Sequence, residues 1–208
     1  MNYDYMKFGP FVMKTKISDE IVNKLLNDGK KELSSMNSNL AGHIEKQFKY
    51  NNSTLTWFYN KFNTYLQMYR DGHCNFHGLQ KLNVEYAPQG ENLWINFMEP
   101  GDFNPPHIHT GDLSFVIFLD VPSEIIKEQE EFKGTWATPG SLLFNFTQNA
   151  KPMWATTERY IEPRTGDLLI FPTLLTHCVC PFKSKVQRVS VSGNLTITNR
   201  TSLPDDYF

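Results

Sequence analysis

Apolar residues recur at helical spacing in the first third of the chain. Between residues 18 and 35 they return every three or four positions, after a serine, Ser18, that can cap a helix. A second run begins near Ser53 and continues to Asp71-Gly72, a pair that favours a helix end. The pattern therefore predicts two helices, joined by a polar connection rich in Asn and Ser.

From about residue 81 the period changes to that of β-strands. Short apolar or alternating runs are separated by Pro, Gly and Asn, and a charged stretch at 124–133 predicts a surface loop or short helix. Many short strands preceded by helices favour a mainly β fold, a jelly roll with N-terminal helices buttressing one sheet. The predicted strands are 81–86, 93–98, 113–119, 142–146, 159–161, 168–171 and 186–197.

Length and composition limit the function classes. The 208 residues fit a single domain, with a helical N-terminal part (1–80) and a jelly-roll core (81–200). A net charge of -2 makes nucleic acid an unlikely partner, and no apolar run is long enough to span a membrane. Three cysteines and no signal-like N-terminal segment lead us to expect a reduced, cytoplasmic protein.

The candidate chemistry begins with two histidines at positions i and i+2. His107 and His109 face the same side of a strand, and His177, from a later strand, can complete one face of a metal. Common non-heme iron sites instead have an acid at the second position. Either His109 binds, which we favour, or a turn at Gly111 re-aims the chain so that Asp112 binds. A third alternative is that water fills the gap between His107 and His177.

An arginine lies on the strand that follows the third histidine. Arg188 can bind a carboxylate through two parallel hydrogen bonds, and Ser190 on the same face adds a hydroxyl donor. Asn96 is a further candidate donor, and Trp94 a candidate wall of the pocket. The competing interpretation is that Arg188 is simply a positively charged side chain on the exposed face of a strand.

A family resemblance is carried by five segments: His107-Ile108-His109, 114–119, 166–172, His177 and Arg188-Val189-Ser190. Together they resemble the 2-oxoglutarate/Fe(II) oxygenases, especially small members found in marine bacteria and their phages. The resemblance implies a double-stranded β-helix, with iron on the motif histidines and 2-oxoglutarate held by Arg188 and Ser190. It implies a dioxygenase that uses O2, releases succinate and CO2, and hydroxylates a peptide or protein side chain or a small molecule. The expected location is the cytoplasm, or the host cytoplasm if the protein is phage-encoded.

Two other function classes fit part of the pattern. A cupin-like metal enzyme that does not use 2-oxoglutarate also clusters histidines in a β-fold, but it has no need of Arg188. A non-catalytic jelly-roll binding or structural module would keep the histidines only as remnants. The two alternatives differ from the oxygenase in their metal and 2-oxoglutarate binding, which can be measured.

Overall fold

The computed structural model describes residues 9–31, 34–35, 42–80, 82–88, 93–146 and 157–199. They form twelve strands and three helices. In chain order these are β1 (Met13–Lys16), α1 (Asp19–Gly29), β2 (Ser34–Ser35), β3 (Lys46–Lys49), α2 (Asn52–His77), β4 (Tyr86–Pro88), β5 (Trp94–Met98), β6 (Asn104–His107), β7 (Leu113–Asp120), α3 (Ser123–Glu130), β8 (Leu142–Asn145), β9 (Glu158–Ile161), β10 (Asp167–Pro172), β11 (Thr176–Val179) and β12 (Arg188–Ile197).

The strands form two antiparallel sheets of unequal size. The large sheet has eight strands in the order β1-β10-β7-β12-β5-β3-β2, and β4 pairs with β12 beside this path. The small sheet has four strands in the order β6-β11-β8-β9. Consecutive strands alternate between the sheets through most of the second half of the chain. This confirms the predicted jelly roll, the double-stranded β-helix.

The large sheet is covered on both faces, which explains why its central strands are apolar at every position. In β10, Leu168 and Ile170 pack in the cluster that includes the helices, whereas Leu169 and Phe171 pack toward Phe144 of the small sheet. Strands buried on both faces lose the alternation of polar and apolar residues that a half-exposed strand keeps. The helices therefore buttress one sheet, as predicted, and the opposite face of that sheet is free to form the interior.

Helix α2 is longer than the sequence pattern predicts. It begins after Asn51, whose side chain accepts a hydrogen bond from the Thr54 amide at 2.9 Å, and it ends at Gly78 with a left-handed φ of 69°. The expected stop at Gly72 fails because the helix packs closely there against Phe11, which a Cβ would approach to 2.9 Å. Within the described residues, none of the helices combines the length and apolarity needed to cross a membrane.

The part of the chain before residue 80 also contributes strands, which the sequence pattern did not predict. β1 pairs with β10 and β3 pairs with β5, so this segment extends the large sheet at both sides. The division into a helical part and a β core is therefore less sharp than expected. The short helix predicted near residues 124–133 is present as α3, which runs from Ser123 to Glu130.

A buried carboxylate joins β1 to the turn before β10. Asp167, 2% exposed, accepts hydrogen bonds from Lys14 and Lys16 at 3.0 and 2.8 Å and from the Arg164 amide at 3.0 Å. Burial alone would raise the pKa of Asp167, but the hydrogen bonds from Lys16 and Lys14 lower it overall. The aspartate that follows Gly166 is thus a structural residue.

Replacing this carboxylate should destabilise the fold in a pH-dependent way. We expect Asp167→Asn to lower the free energy of unfolding by about 1–3 kcal/mol at neutral pH. Because the pKa of Asp167 is depressed in the folded state, its contribution is present above the unfolded pKa of about 3.9 and is lost as pH falls through the folded value. Urea unfolding against pH measures this, with exposed Asp120→Asn as control. Equal effects of the two substitutions would contradict the role of Asp167.

Candidate metal centre

Three histidines meet at one end of the space between the sheets. Strand pairing places His177 of β11 directly opposite His107 of β6, and His109 follows two residues after His107. The ring centroids are 4.3 Å apart for His107 and His177, 4.9 Å for His107 and His109, and 5.0 Å for His109 and His177. Their candidate ligand atoms all lie within 4.8 Å of one another, so they can share one cation.

Two of the three imidazoles are oriented by the same local contact. Nδ1 of His107 lies 2.6 Å from the carbonyl oxygen of Pro105, and Nδ1 of His177 lies 2.9 Å from that of Leu175. A carbonyl can only accept, so each Nδ1 carries the proton and donates it. The lone pair is then on Nε2, the atom left for a metal. Such a second hydrogen bond is the usual way in which proteins orient a histidine ligand.

The environment keeps the imidazoles of His109 and His177 neutral at physiological pH. Burial, with a contribution from His107, lowers the pKa of His109 to about 4. Burial and the same neighbour lower the pKa of His177 to about 3, although the hydrogen bond to the Leu175 carbonyl acts in the opposite direction. A neutral imidazole is the form that binds a metal. Nitrogen donors of this type suit iron, zinc, copper and nickel, so the donor set fits Fe(II).

A buried threonine holds the loop that carries His109. The Thr173 hydroxyl donates to the Gly111 carbonyl at 2.7 Å, its amide donates to the Asp112 carbonyl, and its carbonyl accepts from the His109 amide at 3.0 Å. Gly111 has a φ of 99°, a conformation that glycine adopts without strain. The loop is thereby tied to the segment between β10 and β11, which leads to His177.

The structure does not bring Asp112 to the histidines. One carboxylate oxygen of Asp112 accepts from the Ile197 amide at 2.7 Å, and the residue lines a different cavity, which also includes Arg70 and His73. The turn at Gly111 directs the chain into β7, and the Asp112 side chain therefore lies away from the three histidines. Among the described residues, the three-histidine set is the group whose geometry suits a metal.

The candidate carboxylate anchor is a buried cation. Arg188 is 2% exposed, and its Nη1 and Nη2 lie near the Gly140 carbonyl and the Met98 sulfur. None of the carboxylates in the described part of the chain pairs with it, and its Nε has no partner there. Burial lowers its pKa to about 10, and Cys180 acts in the opposite direction. It is therefore not the exposed cation of the competing interpretation.

Arg188, Ser190 and Asn96 line the same small cavity as the three histidines. The cavity has a volume of about 60 Å³ and also reaches Trp94, the predicted wall. Nδ2 of Asn96 is 3.5 Å from the hydroxyls of Ser190 and Ser192. All the residues named as metal or 2-oxoglutarate candidates, Asp112 excepted, are thus brought to one cavity.

Several polar residues of this cavity escaped the sequence analysis. The alternation that places Arg188 and Ser190 on one face of the strand continues to Ser192 and Asn194, so these two residues could have been predicted from the sequence. Asn194 accepts from the Ser114 hydroxyl at 2.8 Å. No comparable pattern marks two others, Gln47 of β3 and Asn104 of β6, because neither strand has recognisable strand periodicity in the sequence.

Comparison with known proteins gives the family. Residues 92–194 match the sequence model of the family described as "Putative 2OG-Fe(II) oxygenase", and this segment contains β5 to β11, most of β12 and the three histidines of the candidate site. The chain is a member of the 2OG-Fe(II) oxygenase family, and its cofactors are accordingly Fe(II) and 2-oxoglutarate. No curated protein matches the chain.

Solved structures share the fold at low sequence identity. A prolyl-4-hydroxylase from Pseudomonas putida has 14% identity and a TM-score of 0.55, and the alignment covers 89% of this chain and 91% of the hydroxylase chain. HygX from Streptomyces hygroscopicus, solved with nickel, 2-oxoglutarate and hygromycin B, has 9% identity and a TM-score of 0.56. The alignment covers 93% of this chain and 84% of the HygX chain. A Trichoplax adhaerens prolyl hydroxylase, in complex with a hypoxia inducible factor peptide fragment, has 10% identity and a TM-score of 0.51. The alignment covers 93% of this chain and 85% of the hydroxylase chain.

The hold of Thr173 on the His109 loop can be tested by metal binding. We expect Thr173→Val, which removes the hydroxyl but keeps the shape, to weaken Mn(II) binding by about tenfold, as other losses of ligand support do. Calorimetry measures the affinity, and thermal unfolding reports any separate loss of stability. The control is Thr165→Val, whose hydroxyl accepts from the Val121 amide away from the site. Equal metal affinities in the two variants would refute the role.

Proposed function

We propose that His107, His109 and His177 bind Fe(II), and that Arg188 and Ser190 hold the far carboxylate of 2-oxoglutarate, with Asn96 as a further donor. The observation that carries the proposal is the pairing of features in one cavity. Three imidazoles converge at one place on its wall, and a buried guanidinium without a carboxylate partner among the described residues lies at another. A buried charge is costly unless it is paired, so Arg188 is suited to an anionic ligand.

The residues have separate tasks in this reaction. Bound Fe(II) supplies the O2 chemistry, in which 2-oxoglutarate is decarboxylated to succinate and CO2 while a substrate is oxidised, usually to an alcohol. The carbonyls of Pro105 and Leu175 keep the Nε2 lone pairs of two ligands toward the metal. Arg188 and Ser190 fix the far end of the co-substrate, and the surrounding apolar walls exclude water. Three neutral ligands leave the centre one charge more positive than two histidines and an acid, which favours an anion.

For the substrate we propose a peptide or protein side chain, or a small molecule. Support for the first comes from the prolyl hydroxylases that share the fold, one of them in complex with a peptide fragment. Support for the second comes from HygX, whose structure contains hygromycin B. Three free cysteines support a reducing compartment, the cytoplasm, or that of the host if the chain is phage-encoded.

The decisive experiment tests the anchor. Purified protein with Fe(II) and ascorbate should convert 2-oxoglutarate to succinate above the rate without protein. We expect Arg188→Met to weaken 2-oxoglutarate binding in the presence of Mn(II) by at least about 30-fold, because a buried charge pair is lost. Metal affinity should be retained, and exposed Arg159→Met on β9 is the matched control. Undiminished activity of Arg188→Met would favour the cupin-like enzyme. Absence of metal binding by the wild-type protein would favour the non-catalytic module.

The charge of the ligand set gives a second test. We expect His109→Asp to keep a metal site but to bind 2-oxoglutarate at least about tenfold more weakly. For charges about 5 Å apart at an effective dielectric constant of about 20, the added repulsion is about 3 kcal/mol. His109→Ala should instead lower the affinity for Mn(II) itself. Calorimetry measures both affinities. An unchanged affinity of His109→Asp for 2-oxoglutarate would show that the three-histidine set does not tune the co-substrate.

A further inference from the structure

Gln47 is a buried polar residue on a short strand whose other residues are exposed or half-buried. It is 2% exposed and is the most deeply buried residue of β3. Burial of a carboxamide is costly unless hydrogen bonds satisfy it. Its side chain lines the cavity that also contains the three histidines and Arg188. Such a residue, placed next to a proposed ligand site, calls for an account of what its hydrogen bonds do.

Strand register puts Gln47 in a polar row that crosses the large sheet. Gln47 of β3 lies opposite Asn96 of β5, and Asn96 lies opposite Ser190 of β12. Beyond Ser190 the row continues to Phe118 of β7, whose side chain offers no hydrogen-bonding group. All three polar side chains are buried. Within this row, Asn96 therefore has Gln47 as its polar neighbour on one side and Ser190 on the other.

The hydrogen bonds along the row run in one direction. Nε2 of Gln47 donates to Oδ1 of Asn96 at 2.8 Å. The Asn96 oxygen is thereby turned toward β3, and Nδ2 of Asn96 faces β12, at 3.5 Å from the hydroxyl oxygens of Ser190 and Ser192. A hydroxyl that accepts from an amide keeps its own proton to donate. The row thus ends in donors on the strand that carries Arg188.

The orientation of the Asn96 amide decides what the cavity offers to an anion. The oxygen and nitrogen of a carboxamide have nearly the same shape, so its orientation is set by its hydrogen-bond partners. With the amide reversed, Oδ1 of Asn96 would face Ser190 and accept its proton. The Ser190 oxygen would then present a lone pair to the cavity, and a carboxylate, which only accepts, would lose two donors.

We propose that Gln47 is a positioning residue for 2-oxoglutarate. By donating to Oδ1 of Asn96, it keeps Nδ2 of Asn96 and the hydroxyl of Ser190 as donors to the far carboxylate, beside Arg188. Gln47 acts through Asn96 and needs no contact with the co-substrate. Hydrogen bonds in such a chain polarise one another, so the last donor is strengthened as well as oriented. This inference rests on the proposed function, because it requires these residues to bind 2-oxoglutarate.

A double-mutant cycle of Gln47→Met and Asn96→Ala tests the inference. Methionine keeps the length of the side chain but cannot donate a hydrogen bond. We expect Gln47→Met to weaken 2-oxoglutarate binding in the presence of Mn(II) by about five- to tenfold, the effect of about one hydrogen bond. In the Asn96→Ala background the same substitution should change the affinity by less than about twofold, because no amide is left to orient. Calorimetry measures the four affinities, and the affinity for Mn(II) should be retained in all four proteins.

Two further measurements separate positioning from a general loss of stability. In succinate assays, Gln47→Met should raise the KM for 2-oxoglutarate by the same factor and leave kcat at saturating 2-oxoglutarate unchanged. The control is Thr54→Val, which removes a buried hydrogen bond of 2.6 Å to Asp28, between α2 and α1. It should lower the free energy of unfolding without weakening 2-oxoglutarate binding. Should Gln47→Met fail to fold, Gln47→Asn repeats the test with a carboxamide one methylene too short to reach Asn96.

Urea unfolding of the four metal-free proteins reports the hydrogen bond without any ligand. The losses in the free energy of unfolding should be non-additive, because either substitution alone removes the bond between residues 47 and 96. Additive losses would contradict that bond. Wild-type affinity of Gln47→Met for 2-oxoglutarate, or an equal loss in both backgrounds, would overturn the positioning role while the proposed function stands. If the wild-type protein itself binds no 2-oxoglutarate, the proposed function fails and this inference fails with it.

Discussion

Antiparallel pairing of β6 with β11 is the constraint on which the proposed metal centre depends. It puts His107 and His177 opposite each other, and facing residues of an antiparallel pair project from the same side of a sheet. A slip of one residue would turn one imidazole outward and separate the histidines. On its other side, β11 is held by β8, where Phe144 lies opposite His177 and packs in the interior. Core packing therefore fixes the register that the chemistry requires.

Much of this arrangement is legible in the sequence, because the relevant signals are local and periodic. The period of two relates His107, the last residue of β6, to His109 just beyond the strand, and it also relates Arg188 to Ser190. The central strands are recognisable as short apolar runs since both of their faces are buried. What those signals could not decide was the choice between His109 and Asp112. That choice depends on where the turn at Gly111 sends the chain, and hence on contacts with Thr173, which is distant in sequence.

The features that were missed lack a local signal. β6 contains Pro105 and Pro106, which argue against a strand, but it lies at an edge of the small sheet, where missing amide donors are tolerated. β1 and β3 are short and mostly polar, and become strands only because the edges of β10 and β5 are available. The end of α2 was misplaced because Asp71-Gly72 favours termination, whereas close packing against Phe11 makes a small residue suitable inside the helix.

The position of β1 has a consequence for the solubility of the chain. It covers the outer edge of β10, whose residues Leu168 to Phe171 are almost entirely apolar and would otherwise offer unpaired amides and carbonyls to another molecule. β1 itself then forms the edge of the sheet, and it carries Lys14 and Lys16, whose exposed charges disfavour the addition of a further strand. During synthesis β1 emerges well before β10, so its protection against intermolecular aggregation is already present when the vulnerable strand leaves the ribosome.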